Sequence, residues 1–204
     1  ENYQNLLQQL DQTGEVQVST TDPDSRQLIT RNNITEVAYN IQTVVDAKHN
    51  LPIDYLVTNT NDSKAMGEML ERTNDILPVK NTTILYDKGY HTGSEIKKAI
   101  DLGINIMVAI PPVSSHAPDT NYDIEHFTYD NENDQYICPE QQILKTNGKT
   151  YNKQHNPKNI IKVKHYKTNA CLTCPAFAKC TINKKGRLIE RSEYADYIAI
   201  NKQN

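Results

Sequence analysis

Apolar and polar residues alternate in two neighbouring stretches of the chain. Within residues 35–47 every second position is apolar, aromatic or β-branched, which predicts a half-buried antiparallel strand. The predicted covered face carries Val37, Tyr39, Ile41, Thr43 and Val45. A second apolar stretch occupies residues 51–60, and the intervening residues 48–50 are typical of a short hairpin connection. The pattern therefore predicts a β-hairpin.

Elsewhere in the first half of the chain the apolar residues follow a helical period. Helices are predicted for residues 2–12, 61–77 and 94–102. Asp62 or Ser63 is the candidate N-cap of the second of these helices, because short polar side chains accept hydrogen bonds from the first free backbone amides. Gly103 closes the third helix, as expected for a residue that tolerates a left-handed backbone.

Two further apolar runs alternate with these helices. One ends at Asp87, and the other occupies residues 104–112 and is stopped by two prolines. The resulting order of strand, strand, helix, strand, helix, strand indicates a mixed sheet with helices packed on it. We therefore predict an α/β domain over residues 1–112.

The character of the sequence changes after Pro112. Residues 113–204 contain few aliphatic residues and many Asn, Asp, Lys and Tyr. Short strands are predicted on both sides of the turn at 130–133, and a longer strand with one lysine-bearing face is predicted at 158–166. Residues 113–204 are thus expected to form a small β-rich, cysteine-containing subdomain.

Composition limits the classes of protein to which the chain can belong. With 204 residues, of which 37% are hydrophobic, it can bury one sizeable core and a second small one. It has no apolar run near 18 residues and no basic, apolar leader, so we expect a soluble, cytoplasmic protein with no membrane partner. Because the chain opens on Glu1 and enters helical spacing at once, we expect a piece of a longer polypeptide.

The formal net charge of -3 conceals an uneven distribution. Residues 1–157 carry 12 basic and 22 acidic side chains, whereas residues 158–191 carry nine basic side chains and one acidic one. Such a basic segment is either a solvated lysine-rich surface or a surface that binds a phosphate backbone with release of counterions. The candidate DNA contacts are Lys158, Lys162, Lys164, Lys167, Lys184, Lys185 and Arg187.

Four cysteines, all in the C-terminal half, suggest a metal site. A CxxC step lets two thiolates from one tight turn reach the same ion, and two further cysteines complete a tetrahedral zinc site. The candidate ligands are Cys138, Cys171, Cys174 and Cys180. Buried free thiols, one disulfide and an iron-sulfur cluster are the alternatives.

Several short motifs, taken in order, resemble bacterial insertion-sequence transposases of the DDE type. They are "TDPDSR", "AYNIQTVVDAKHNL", "VTNTNDSKAM", "YDKGYHTGSEI", "YDNENDQYICPE" and "CLTCPAFAKCT". The resemblance extends over roughly residues 15–191. It implies an RNase H-like core, in this chain an incomplete one, that cleaves phosphodiester bonds and transfers DNA strands with two Mg²⁺ ions held by three carboxylates.

The resemblance makes Asp87 the second of those three carboxylates, although Asp at this position is also a common way to begin a turn. It also implies transposon-end DNA as the partner, and it is compatible with a homodimer of the full-length protein. The first and third carboxylates have no good match, because Asp22 and Asp24 lie in a polar turn and Glu190 and Glu193 lie in a poorly matching segment. We therefore expect a transposase fragment that is inactive alone. The alternative is a non-catalytic DNA- or protein-binding module stabilised by a four-cysteine metal site.

Overall fold

The polypeptide folds into two compact units. The computed structural model describes residues 2–30, 34–77, 82–112, 117–156 and 159–203. The first unit comprises Glu1–Pro111 with Tyr197–Asn204, and the second comprises Pro112–Asp196. The sequence-based division placed the C-terminal residues in the second unit. They belong to the first because the Asn201 side chain donates to the carbonyl of Val108 and accepts from its amide, both at 2.9 Å.

The first unit contains the predicted helices and strands, and also a strand at Arg26–Ile29 and a helix at Ala195–Gln203, which the periodicity did not predict. Its elements are α1 (Asn2–Thr13), β1 (Arg26–Ile29), β2 (Thr35–Ala38), β3 (Asn40–Asp46), β4 (Leu51–Thr58), α2 (Met66–Ile76), β5 (Thr83–Tyr86), α3 (Gly93–Asp101), β6 (Asn105–Val108) and α5 (Ala195–Gln203). The predicted hairpin is confirmed as β3 and β4, and the mixed α/β composition is also confirmed. Helix α2 begins later than predicted, and its N-cap is Ala65, so neither Asp62 nor Ser63 caps it. Within the described ranges, no helix is long and apolar enough to cross a membrane.

The described strands of the first unit pair two by two. Strand β1 is antiparallel to β2, β3 is antiparallel to β4, and β5 is parallel to β6. Parallel pairing needs a crossover connection, and α3 supplies it. Among the described residues these pairs do not join into one mixed sheet, so the RNase H-like arrangement stays a prediction.

The core of the first unit lies between α2, α3 and β6. Its buried members are Met66, Leu70, Ile96, Ala99, Ile104, Ile106 and Val108. Ile84 and Tyr86 of β5 pack against this cluster, and Tyr86 is opposite Val108 in the parallel pair. Gly103 has a φ of 69°, which confirms that α3 ends in a left-handed residue. The residue after β5, Asp87, is thereby held at the end of a strand that is packed on one side.

The covered face of the β3 strand is the opposite of the predicted one. Val37 and Ile41 are 57% and 63% exposed, and Val45 is 49% exposed, whereas Gln42 is only 3% exposed. The predicted strand is also divided at Tyr39, where β2 ends and β3 begins. The prediction was wrong because the Gln42 amide takes part in hydrogen bonds with Asp62 and Tyr90, which periodicity does not reveal.

The second unit is built on an antiparallel sheet of five strands. Its elements are β7 (Thr128–Asp130), β8 (Gln135–Ile137), β9 (Ile143–Asn156), β10 (Asn159–Lys167), α4 (Phe177–Cys180) and β11 (Ile189–Ser192). The strand order is β11-β10-β9-β8-β7, a meander in which consecutive strands are neighbours. One face buries Phe127, Tyr136, Leu144, Tyr166 and Ile189.

The turn between β7 and β8 carries a carboxylate that organises this core. Asp134 accepts hydrogen bonds from Lys164 at 2.7 Å, Tyr166 at 2.5 Å and Tyr129 at 2.8 Å. These donors, Lys164 first, lower the pKa of Asp134 to about 2. Tyr129 and Tyr166 thus pack their rings against this core while their hydroxyl groups donate to the Asp134 carboxylate.

Asp134 makes the second unit sensitive to acid. Since its folded pKa is lowered from 3.8 to about 2, its stabilisation is full above pH 3.8 and is lost as the pH falls toward 2. We expect Asp134→Asn to lower the melting temperature near neutral pH, and to reduce the further decrease that the wild type shows between about pH 5 and about pH 2. Glu132→Gln, in the same turn and exposed, is the control. Parallel melting curves for the wild type and Asp134→Asn across this pH range would contradict the assignment.

Candidate functional site

Asp87 lies where strand β5 ends and a short 3-10 turn, Lys88–Tyr90, begins. Its Oδ1 accepts the Lys88 amide at 2.6 Å, and its carbonyl accepts the Tyr90 amide at 3.1 Å. The residue is exposed, and within the described part of the chain its Oδ2 accepts no hydrogen bond. Asp87 therefore both begins a turn and presents one carboxylate oxygen to solvent. A packed strand followed by a bonded turn fixes the position of that oxygen.

Two polar side chains beside Asp87 are buried without a hydrogen-bond partner among the described residues. They are Tyr86, through its hydroxyl, and His91, through Nε2. Burial raises the pKa of Tyr86 and lowers the pKa of His91, so both groups are neutral at pH 7. Buried polar atoms normally have partners, and their concentration next to Asp87 is typical of a functional site.

The sequence patterns did not predict that Asp62 and Gln42 lie beside the turn that follows Asp87. Asp62 lies next to Gly89, and Gln42 accepts a hydrogen bond from the hydroxyl of Tyr90. Asp62 was interpreted only as a helix cap, and Gln42 was placed on the exposed face of its strand. Strand β3 also carries the polar residues Asn40, Thr43 and Asp46, so nothing in its periodicity singles out Gln42.

The weaker candidates for further carboxylates are engaged in other contacts. Asp22 accepts from the hydroxyl of Tyr39 and from the amide of Asp24, as is usual in a turn. In the second unit, Glu190 pairs with Lys153, and Glu193 accepts the amide of Lys162 at 2.8 Å. Across the described ranges, no group of three or more His, Cys, Asp or Glu residues is arranged to hold a metal ion. The described structure thus supplies one exposed carboxylate and not a complete set of ligands.

The predicted DNA-contact residues fall into three settings. Lys162 and Lys167 are exposed on β10, while Lys164 pairs with Asp134. Lys184 and Lys185 are exposed in the turn that precedes Gly186. Arg187 is half-buried, which is the third setting. Lys158 lies outside the described residues.

Arg187 points toward the cysteines. Its guanidinium lies 5.5 Å from the centre of the Phe127 ring, and its Nη1 donates to the carbonyl of Cys180 at 3.3 Å. Its Nε is buried and has no partner among the described residues. Arg187 is therefore half-buried against the core of the second unit, whereas Lys162, Lys167, Lys184 and Lys185 are exposed.

All four cysteines line one pocket in the second unit. Cys138, Cys171, Cys174 and Cys180 form no disulfide with one another and are half-buried, and the pocket that they line together with other side chains has a free volume of about 20 Å³. This volume admits one water-sized particle. Burial raises the pKa of the Cys180 thiol, and the other three thiols act on it in the same direction.

The backbone around the cysteines turns tightly. The Gln142 amide donates to the sulfur of Cys138 at 3.3 Å, and the Cys174 amide donates to the carbonyl of Cys171 at 3.2 Å. Gly186 has a φ of 92°, and a Cβ atom there would approach the Cβ of Cys171 to 2.8 Å. Glycine is required at this position both for its backbone conformation and for the close approach of Cys171.

The chain matches a known protein-family model. The family model described as "Transposase DDE domain" matches residues 15–198. Searches of curated proteins and of solved structures found no match. The matched region includes Asp87, the four cysteines and the basic segment.

Proposed function

Because the chain belongs to the transposase DDE domain family, we propose that it is part of the catalytic region of a DNA transposase and that Asp87 is one of the carboxylates that perform phosphodiester cleavage and strand transfer. The observation that carries this proposal is the exposed Oδ2 of Asp87, presented from a fixed turn at the end of a packed strand. The RNase H-like arrangement of the surrounding sheet is part of the same proposal. The experiment that tests it is metal-dependent DNA cleavage with and without the Asp87 carboxylate.

The cofactor of DDE transposases is generally Mg²⁺. A carboxylate oxygen is the hard ligand that Mg²⁺ prefers, so Asp87 fits as one ligand, and the remaining ligands have no counterpart in the described structure. When bound, the ion would stabilise negative charge on the oxygens of the phosphodiester. The turn amide of Lys88 holds Oδ1 of Asp87 and leaves Oδ2 available for the ion.

DNA is the proposed partner of the second unit. We assign phosphate contacts to Lys162, Lys167, Lys184 and Lys185, which are exposed in the described structure, and we retain Lys158, Lys164 and the half-buried Arg187 as candidates. Exposed lysines in a segment with one acidic side chain attract a phosphate backbone without reading its sequence. Sequence specificity must therefore arise from other groups.

The exposed turn lysines yield a quantitative prediction. We expect Lys184→Gln/Lys185→Gln to weaken binding to any duplex, and to reduce the slope of log affinity against log salt by roughly 2, because each phosphate contact contributes about 0.9. Fluorescence anisotropy over a salt series measures both quantities. The matched control is Lys97→Gln/Lys98→Gln, which removes two lysines that pair with Asp101 and Glu71. An unchanged slope would exclude the turn lysines from the interface.

The cysteine pocket is the proposed site of a structural zinc ion. Support comes from the convergence of four reduced cysteines on one small volume and from the backbone amide that already donates to the sulfur of Cys138. Binding requires thiolates, so zinc must overcome the raised pKa of Cys180. Zinc would hold the four sulfurs in a tetrahedral arrangement.

A non-catalytic DNA- or protein-binding module is the second candidate function. It is favoured by the lack, within the described ranges, of a complete set of metal-binding carboxylates. The two candidates differ in their dependence on Asp87: phosphate binding by lysines persists in Asp87→Ala, whereas cleavage does not. DNA binding that survives this substitution, with no cleavage under any metal condition, would support the binding module.

A further inference from the structure

We propose that Asp62 is a positioning residue for Asp87: its carboxylate, held by two amide side chains of β3, fixes the turn that carries Asp87. This inference rests on the proposed function, because it assigns to Asp62 a role in presenting the catalytic carboxylate. Asp62 itself touches the turn and not the exposed oxygen of Asp87. Three contacts, all within the first unit, carry the argument.

The first contact holds Asp62 itself. Its Oδ1 accepts the side-chain amides of Asn40 at 2.8 Å and of Gln42 at 2.9 Å. Gln42 is 3% exposed, and a buried amide is costly unless it is hydrogen-bonded. Its hydrogen bond to Asp62 accounts for the burial of this glutamine.

The second contact is between Asp62 and Gly89, two residues after Asp87. A Cβ atom at position 89 would lie 2.9 Å from Oδ2 of Asp62, closer than real Cβ atoms approach other groups. The φ of Gly89 lies outside the left-handed region, so the backbone conformation does not require glycine. Glycine is therefore needed for the close approach of the Asp62 carboxylate to the turn.

The third contact joins the same network to the end of the turn. The hydroxyl of Tyr90 donates to Oε1 of Gln42, and the amide of Tyr90 donates to the carbonyl of Asp87 at 3.1 Å. Gln42 therefore links Asp62 to Tyr90, the last residue of the turn.

The positioning role of Asp62 can be tested by a double-mutant cycle in the full-length transposase that contains this chain. The measurement is nicking of supercoiled plasmid as a function of Mg²⁺ concentration. We expect Asp62→Ala and Gly89→Ala each to raise the Mg²⁺ concentration for half-maximal nicking by about 10- to 100-fold, the range seen when residues that support metal ligands are removed. The double variant should be no worse than the more defective single variant, because both substitutions disrupt one contact. Additive effects would overturn the proposal.

The variant Asp62→Asn separates positioning from direct use of the charge. Its side-chain oxygen still accepts from Asn40 and Gln42, so we expect nicking within a few-fold of the wild type. If Asp62→Asn is as defective as Asp62→Ala, the site uses the charge of Asp62, and the positioning role is overturned. The Lys88 amide proton, bonded to Oδ1 of Asp87, gives an independent readout by NMR: its shift should move in Asp62→Ala and stay in Asp62→Asn.

The control for loss of one acidic side chain is Asp75→Ala, an exposed residue of α2. If Asp87→Ala abolishes nicking while Asp62→Ala behaves like Asp75→Ala, the positioning role fails and the proposed function stands. If Asp87→Ala nicks plasmid as the wild type does, the proposed function itself fails, and the positioning role fails with it.

Discussion

Replacement of Asp87 by alanine is expected to reduce Mg²⁺-dependent strand cleavage by roughly 10²- to 10³-fold, since a bound metal supplies several kcal/mol of transition-state stabilisation and each 1.4 kcal/mol is about tenfold in rate. The substitution removes the oxygen that would bind the ion, and it also removes the bond to the Lys88 amide. The measurement is the single-turnover rate of plasmid nicking by the transposase at saturating Mg²⁺.

Asp87→Asn distinguishes the two consequences of that substitution. Its side-chain oxygen still accepts the Lys88 amide, so the turn and the melting temperature should be kept, whereas the negative charge needed for Mg²⁺ is lost. We expect cleavage as low as in Asp87→Ala, with unchanged DNA affinity. An Asp87→Asn variant with wild-type cleavage would show that Asp87 serves only as a turn residue.

Loss of one cysteine is the second large expected effect. We expect the unchelated protein to contain about one zinc per chain, and Cys174→Ser to lose it, because the substitution removes one of the four thiolate ligands. Since structural zinc can supply about 10 kcal/mol or more of apparent folding free energy, the second unit should then loosen. Limited proteolysis should then cut within residues 138–191, while the first unit stays resistant. Elemental analysis with an absorbance spectrum measures the metal, and mass spectrometry of the fragments locates the cuts.

The zinc prediction has two controls. Thr173→Ser changes an exposed residue between Cys171 and Cys174 and should keep both the metal and the resistance to protease. A chelator added to the wild type should reproduce the behaviour of Cys174→Ser. If the protein contains iron and shows a visible absorption band, the four cysteines hold an iron-sulfur cluster and not zinc. A protein that contains no metal would contradict the prediction and leave four reduced thiols in a pocket.

Local periodicity was sufficient to predict the type of most elements. Helices α1, α2 and α3 and the strand before Asp87 follow from the spacing of apolar residues, and Gly103 ends α3 as expected. Such features depend on neighbours within one or two turns of the chain, so the sequence carries them directly. The short motifs, taken in order, likewise indicated the DDE transposase family that the family model identifies.

The environment of individual side chains was decided by tertiary contacts. Gln42 is buried because Asp62 and Tyr90, 20 and 48 positions away, satisfy its amide. The guanidinium of Arg187 lies over the ring of Phe127, a contact that the charge pattern did not predict, and Asn201 joins Val108 across 93 positions.

The periodic pattern along a strand states only that its two faces differ. Which face is covered depends on hydrogen-bond partners that are distant in sequence. The sequence therefore determined the elements and the family, whereas the folded structure determined which polar groups surround Asp87.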